Sequence, residues 1–157
     1  MNTEQTMAEM IGLRFEDARA IAQVACDKAE SGDLEGGREM LELLVELNPK
    51  DSAMQFALGT VYEKLGMKDR AESCYTAAIE RSNHAFALVN RGELRIRRGE
   101  AAGREDLAKV LALDPKLQTV AGQRAKVLLQ VFAAKPATQP GRPSAMKAQP
   151  AQAKSKR

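Results

Sequence analysis

Glycines and prolines recur along this chain at multiples of 33 residues. Gly59 and Gly92 are 33 apart, Gly66 and Gly99 are 33 apart, and Pro49 and Pro115, in the matching tetrapeptides LNPK and LDPK, are 66 apart. A fixed period of this length marks a repeat architecture. Each unit is one supersecondary element that buries its apolar face only by stacking on its neighbours.

The units can be read off in turn. The stretch AIAQVACDKAESGDLEGGREMLELLVELNP reads as helix, turn, helix, stop, with the turn at Gly32-Asp33. Its second helix sets Leu34, Leu41, Leu44 and Leu47 on one side. The next unit is SAMQFALGTVYEKLGMKDRAESCYTAAIERSN, and the third is AFALVNRGELRIRRGEAAGREDLAKVLALDP. Gly59 and Gly92 allow two helices to approach where a Cβ would collide, and Gly32, Gly66 and Gly99 are expected just past helix ends with positive φ. Asp33 is expected to cap the second helix of its unit. Pro49 and Pro115 are expected to end one helix and to fit the first turn of the next. The second unit ends instead in Ser82-Asn83.

Leu58, Gly59, Tyr62, Ala71 and Tyr75 stand at the offsets of the tetratricopeptide signature, and on these residues 18–115 resemble the tetratricopeptide repeat family. Gln55 occupies the Trp position, Lys28 and Arg95 stand where Tyr is expected, and Arg91 stands where Leu is expected. Unit three is one residue short around Gly99-Glu100. The resemblance implies an all-α fold of three helix-turn-helix repeats in a short right-handed superhelix with a C-terminal capping helix. The chain then divides into an N-terminal segment with a short helix (1–16), three repeats (17–116), a capping helix (117–134) and a disordered, basic, Pro-rich tail (135–157).

Both ends of the array need covering. Leu117, Val120, Val127, Leu128, Val131 and Phe132 make one apolar stripe on the capping helix. Met7, Met10, Ile11 and Phe15 read as a short amphipathic helix that serves as a cap or as a homodimer contact. Aromatic content is only 4% with no Trp, so the core is expected to be Ala, Leu, Val and Met. Six of the 24 Lys and Arg and none of the 21 Asp and Glu fall in 135–157, leaving 18 basic against 21 acidic groups in the body. This is a mildly acidic domain with a basic appendage. No apolar run reaches the ~18 residues of a membrane span. The start MNTEQTMAEM has no basic n-region, so the expected location is cytoplasmic.

Little points to catalysis. His84 is the only histidine and has no Cys/His cluster around it, and Cys26 and Cys74 read as reduced buried thiols. GDLEGG lacks the Lys-Ser/Thr of a phosphate loop. The expectation is a chain that is not an enzyme, with no catalytic residue, no cofactor and no metal. RGELRIRRGE gathers Arg91, Arg95, Arg97 and Arg98, but Glu93 and Glu100 interleave and no aromatic residue is present for stacking. It reads as a solvated or internally paired cluster rather than a nucleic-acid surface.

In the family, defined positions of each first helix face a concave groove. Carried over, these are Arg19, Ala22, Cys26, Ala29 and Glu30 in unit one, then Ala53, Phe56, Thr60, Glu63 and Lys64 in unit two, then Phe86, Val89, Glu93, Ile96 and Arg97 in unit three. The apolar set among them, with Thr60 and Glu93, suits an extended protein segment that inserts apolar side chains. Positions that carry a Lys/Asn carboxylate clamp in one subclass hold Ala22, Cys26 and Ala57, so the co-chaperone function of that subclass is not implied. Over about residues 15–134 the layout is similar to the translocator-class chaperones of bacterial type III secretion. It has a short N-terminal segment, three repeats and one capping helix. That likeness implies a cytoplasmic chaperone for hydrophobic secreted subunits, often dimeric through its N-terminal region. The alternative is a generic repeat adaptor in another bacterial assembly.

The composition of the tail yields a direct test. Its four prolines, its lack of acid and its few large apolar groups give it little to bury. Brief proteolysis followed by mass spectrometry is expected to trim the chain near residues 134–142 and leave a helical core; a tail as resistant as the core would contradict the reading.

Overall fold

Three helical hairpins follow one another in the computed structural model, which describes residues 6–133. A short α1 (Met7–Met10) precedes the hairpins α2 (Phe15–Glu30) with α3 (Leu34–Leu47), α4 (Ser52–Lys64) with α5 (Lys68–Ser82), and α6 (Ala85–Arg97) with α7 (Ala102–Leu113). A final helix, α8 (Val120–Ala133), packs on α7 and α6. Each helix packs mainly on its sequence neighbours, as a stacked repeat requires. No strand occurs among the described residues, and the all-α repeat fold expected from the sequence holds. The tail 135–157 lies outside the described residues.

The punctuation works locally as the residue types demand. Gly32, Gly66 and Gly99 close the first helix of each unit with φ of 105°, 77° and 82°. Asp33 caps α3 by accepting from Gly36 N–H at 3.0 Å, and Asp51 caps α4 by accepting from Ala53 and Met54 N–H at 2.9 and 3.0 Å. The prolines depart from expectation. They do follow helix ends, but Pro49 lies ahead of the Asp51 cap and Pro115 lies well ahead of Val120, so neither enters the first turn of the next helix. The reason is that other side chains do the capping: Asp51 serves α4, and Thr119 Oγ1 accepts from Gly122 N–H at 3.0 Å at the start of α8. Asp114 accepts from the backbone N–H of Gln118 and Thr119 at 2.9 and 2.8 Å. Gln55, in the Trp position, is buried and donates to the Pro49 carbonyl at 3.4 Å.

Close approach at glycine sets the hairpin spacing. A Cβ on Gly59 would stand 2.7 Å from Tyr75 Cε1, and one on Gly92 would stand 2.9 Å from the Gly103 carbonyl oxygen and 3.0 Å from Leu107 Cδ2. The equivalence of these residues fixes α6 in the 33-residue register. Tyr75, Leu41, Leu58, Val61 and Ala71 build one core between units one and two, and Leu88, Val89, Leu107 and Val110 build another with Ala121 and Ala125 of α8. Leu44 and Met54 form a third cluster with Ala18.

The capping helix turns differently from the sequence expectation. It buries Ala121, Gly122 and Ala125, while Val120, Val127 and Val131 are exposed. Small residues win this face because α8 lies tight against the preceding turn: a Cβ on Gly122 would meet Asp114 Oδ2 at 2.3 Å. Met7, Met10, Ile11 and Phe15 are likewise exposed, and α1 buries Ala8 instead.

Of the two readings of the arginine cluster, solvated or internally paired, the structure has the second. Arg91 is 7% exposed and Asp106 of α7 is 1% exposed, and they meet through two hydrogen bonds of 2.9 and 2.7 Å. Arg91 also donates to Thr76 Oγ1 at 2.9 Å. Arg95 bridges Asp106 at 3.0 Å and Glu72 of α5 at 2.7 Å, and Arg98 reaches Glu72 and Asp69, both at 2.7 Å. Two positions where the repeat signature asks for Leu and Tyr thus join units two and three by ion pairs.

Two stability predictions follow from these contacts. Gly59→Leu is expected to lower stability by ~1–3 kcal/mol or unfold the chain, because Tyr75 has no room to retreat. An unchanged Tm in circular dichroism would contradict the crossing. Asp106→Ala leaves the buried Arg91 guanidinium with no carboxylate and is expected to cost ~3–5 kcal/mol, with denaturant melts as the measure.

Candidate functional site

The first helices of the units, with α8, share one face of the array. Contacts across it show this: α2 touches α4, α6 touches α8, and the ring of Phe56 on α4 lies 6.2 Å from that of Phe86 on α6. Phe56 is half-buried and Phe86 is 39% exposed, so this pair presents an apolar shelf to solvent. His84 completes it. Its imidazole stacks on Phe56 at 4.6 Å with an interplanar angle of 24°, and Tyr75 lies behind at 6.0 Å. The shelf sits at the junction of units two and three because His84 is the N-cap of α6 and Phe86 is in its first turn.

Beside the shelf runs a chain of polar contacts linking four helices. The Tyr75 hydroxyl donates to Glu63 Oε2 at 2.7 Å and accepts from Asn90 Nδ2 at 3.2 Å. Arg124 of α8 donates to Asn90 Oδ1 at 2.9 Å and to Glu93 Oε2 at 2.8 Å, while Arg97 holds the other Glu93 oxygen at 2.6 Å. Burial raises the Glu93 carboxyl, but the hydrogen bonds from Arg97 and Arg124 outweigh it and hold it below the usual carboxylate range. Burial, and then the bond to Glu63, push the Tyr75 hydroxyl well above the ordinary tyrosine value.

The expected groove residues divide into three groups. Phe56 and Phe86 come together on the shelf, Ala53 is exposed and Thr60 half-buried on the same helix as Phe56, and the Thr60 hydroxyl is occupied by the Phe56 carbonyl at 3.1 Å. Ala22 and Cys26 are half-buried on α2, with Ala22 packed against the cores below it. Glu93 is half-buried and engaged by two arginines. Val89 does not belong with these. It is 0% exposed in the core with Leu107 and Ala125, because α8 covers that side of α6.

The sequence reading missed His84, Asn90 and Arg124 as members of this face. His84 stands 28 residues after Phe56 in another helix, and no periodicity ties a cap to a ring one unit back. Asn90 lies between two predicted groove positions, Val89 and Glu93, and only the burial of Val89 in the second core reveals it. Open surface depressions of about 410 and 430 Å³ lie elsewhere, lined by Asp69, Glu72 and Glu80 in one case and by Met67, Arg70 and Arg98 in the other. Among the described residues no three His, Cys, Asp or Glu side chains gather as metal ligands, and no helix is long and apolar enough to cross a membrane.

Residues 52–84 match the tetratricopeptide repeat family model. The chain has the tetratricopeptide-repeat fold. No curated protein matches the sequence. Among solved structures, the Yersinia enterocolitica type III secretion chaperone SycD in complex with a peptide of the translocator YopD is 18% identical, with a TM-score of 0.70 over 79% of this chain and 98% of that one. PcrH, a Pseudomonas aeruginosa protein, in complex with the chaperone-binding region of PopB is 17% identical, with a TM-score of 0.68 over 75% of this chain and 98% of that one. The first repeat domain of Spaghetti bound to an HSP90 peptide is 17% identical, with a TM-score of 0.63 over 76% of this chain and 96% of that one.

Proposed function

We propose that the α2–α4–α6 face holds an extended segment of another protein, and that the chain is a cytoplasmic chaperone for type III secretion substrates. The observation that carries the reading is the open ring shelf of Phe56 and Phe86 on a fold shared with peptide-bound SycD and PcrH. Apolar side chains of a bound segment would lose water against the shelf, and Ala22, Cys26, Ala53 and Thr60 would let its backbone approach closely. The interleaved charges of Glu63, Glu93, Arg97 and Arg124 beside the shelf would orient that segment. Catalysis has no support here, since the polar groups of this face are bonded to one another rather than aimed at a substrate.

The likeness to the Spaghetti domain keeps a generic adaptor in view, because the fold alone serves partners outside secretion. Against an Hsp90-type tail, Ala22, Cys26 and Ala57 offer no cation or amide to a carboxylate. The exposed set Met7, Met10, Ile11 and Phe15 supports pairing with a second copy through the N-terminal segment.

Phe56→Glu tests the face directly. It is expected to weaken partner binding about thirtyfold, on the order of 2 kcal/mol, since a desolvated aromatic anchor behaves as a hot spot. Leu41→Ala, fully buried, is expected instead to cost ~2–5 kcal/mol of stability. Paired melting curves and pulldowns from the native host measure both. Should Phe56→Glu melt as badly as Leu41→Ala, Phe56 is core and the face is misassigned. Should it melt normally and capture its partner in full, the binding surface is elsewhere. A captured secreted, hydrophobic subunit is the outcome expected of a secretion chaperone, and a non-secreted complex favours the adaptor.

A further inference from the structure

We propose that His84 makes the ring shelf proton-sensitive: its neutral imidazole holds the α5–α6 junction and the shelf together, and its protonation loosens both. The functional meaning of this rests on the groove reading above, but its structural content does not.

The geometry assigns the imidazole two simultaneous roles. His84 Nδ1 accepts a hydrogen bond from Ala87 N–H at 3.3 Å, which caps α6. A ring nitrogen accepts only when it carries no proton, and an imidazolium has two donors and no acceptor. The same ring lies stacked on Phe56, and the helix it caps carries Phe86 two residues later. One protonation therefore removes the cap at the point where both phenyl rings are positioned. It also sets a positive charge against the N-terminal end of α6, where the helix dipole favours the opposite sign.

The connection gives little slack for compensation. Asn83, the residue before, ends α5 in the left-handed region with φ 49° and donates its N–H to the Ile79 carbonyl. Two residues, Asn83 and His84, thus make the whole passage from α5 to α6.

Charged groups on the packed elements do not favour an imidazolium. Asp51 caps α4 and is engaged with Ala53 and Met54, Glu80 and Arg81 are exposed on the last turn of α5, and the first turn of α6 carries no acid. The first charged residue of α6 is Arg91, which is held by Asp106. Attraction between an imidazolium and the Phe56 ring opposes the loss of the cap. Burial brings the imidazole below its ordinary value of about 6.5, outweighing a hydrogen bond to its own backbone that favours the proton, and no charged side chain contributes. The unfolded chain therefore takes up the proton first. The stabilisation is fully present above about pH 6.5 and is lost as pH falls through the native value.

The test needs no ligand, so a failed groove and a failed proton switch give different results. Full-length protein is melted by circular dichroism at pH 7.5 and 5.5, beside His84→Asn, which keeps a capping oxygen and cannot titrate. The wild type is expected to lose more Tm on acidification than His84→Asn, and the excess corresponds to a tenfold fall in the folding constant per pH unit of depression. Identical losses in the two proteins overturn the proposal. In parallel, the single histidine is titrated by NMR in the wild type. The expected midpoint lies below 6.5, with the Phe56 and Phe86 ring signals shifting in step. Ring signals that stay fixed while His84 titrates overturn the link to the shelf, whether or not the variant folds.

Discussion

The pairing of Arg91 with Asp106 is the constraint on which the second half of the array depends. In a tetratricopeptide signature the Arg91 position is Leu, and a Leu there would bury itself at no electrostatic cost. A guanidinium in that place must be fully satisfied or the units separate, because an unpaired buried charge costs several kcal/mol. The chain supplies Asp106 on α7 and Thr76 on α5, and then brings Arg95 to the second oxygen of Asp106 and on to Glu72. One carboxylate thus holds two arginines of α6, and those arginines reach back to α5. The seam between units two and three is directional where an apolar seam would slide, which fixes how α6 is rotated.

That rotation decides what the array presents. With Arg91 turned towards α5 and α7, Val89 faces the second core and Asn90 and Glu93 face α8. Phe86 is left outward in the first turn, within reach of Phe56. The seam and the shelf are therefore two sides of one helix orientation. Because Arg124 ties α8 to Asn90 and Glu93 on that same side, the last three first-type helices are braced by polar contacts rather than by apolar burial alone. A face braced in this way is ordered in advance, which would lower the entropy cost of holding the proposed segment.

Legibility in the sequence followed the range of the interactions. Gly32, Gly66 and Gly99 announce helix ends because positive φ is a local demand, and Gly59 and Gly92 announce close crossings because the demand repeats with the unit. The all-α repeat fold is readable on those grounds, whereas the partners of Arg91 and Arg95 are not, because Asp106, Thr76 and Glu72 lie on other helices rather than among the interleaved acids. What failed involved choices between competing local solutions. The prolines promise a helix start that Asp51 and Thr119 already serve. On α8 a valine stripe was expected to bury, but Ala121, Gly122 and Ala125 allow a closer approach and displace it. Val89 was placed on the open face by counting positions, without the knowledge that α8 closes over it. His84 stands out in the sequence as the only histidine, but its place on this face does not, because its role joins a cap in one unit to a ring in the one before.

The same comparison explains why function is harder to read than fold in such a chain. Stacking requires only that each unit bury its flanks, so the residues that define the fold are those between helices. The open face carries no such requirement, and its residues are free to answer to a partner. In this chain they answer with two phenyl rings and a histidine at a single junction, where the repeat signature itself asks for none of them. Arg91 is the converse, a departure from the signature that is spent wholly on the seam. Departures that the seam consumes are structural, while those that reach the open face, half-buried or exposed, are the ones the proposed segment would meet first. Phe56, Phe86 and His84 are of the second kind, which is why the proposed recognition and the proposed proton sensitivity both centre on that junction.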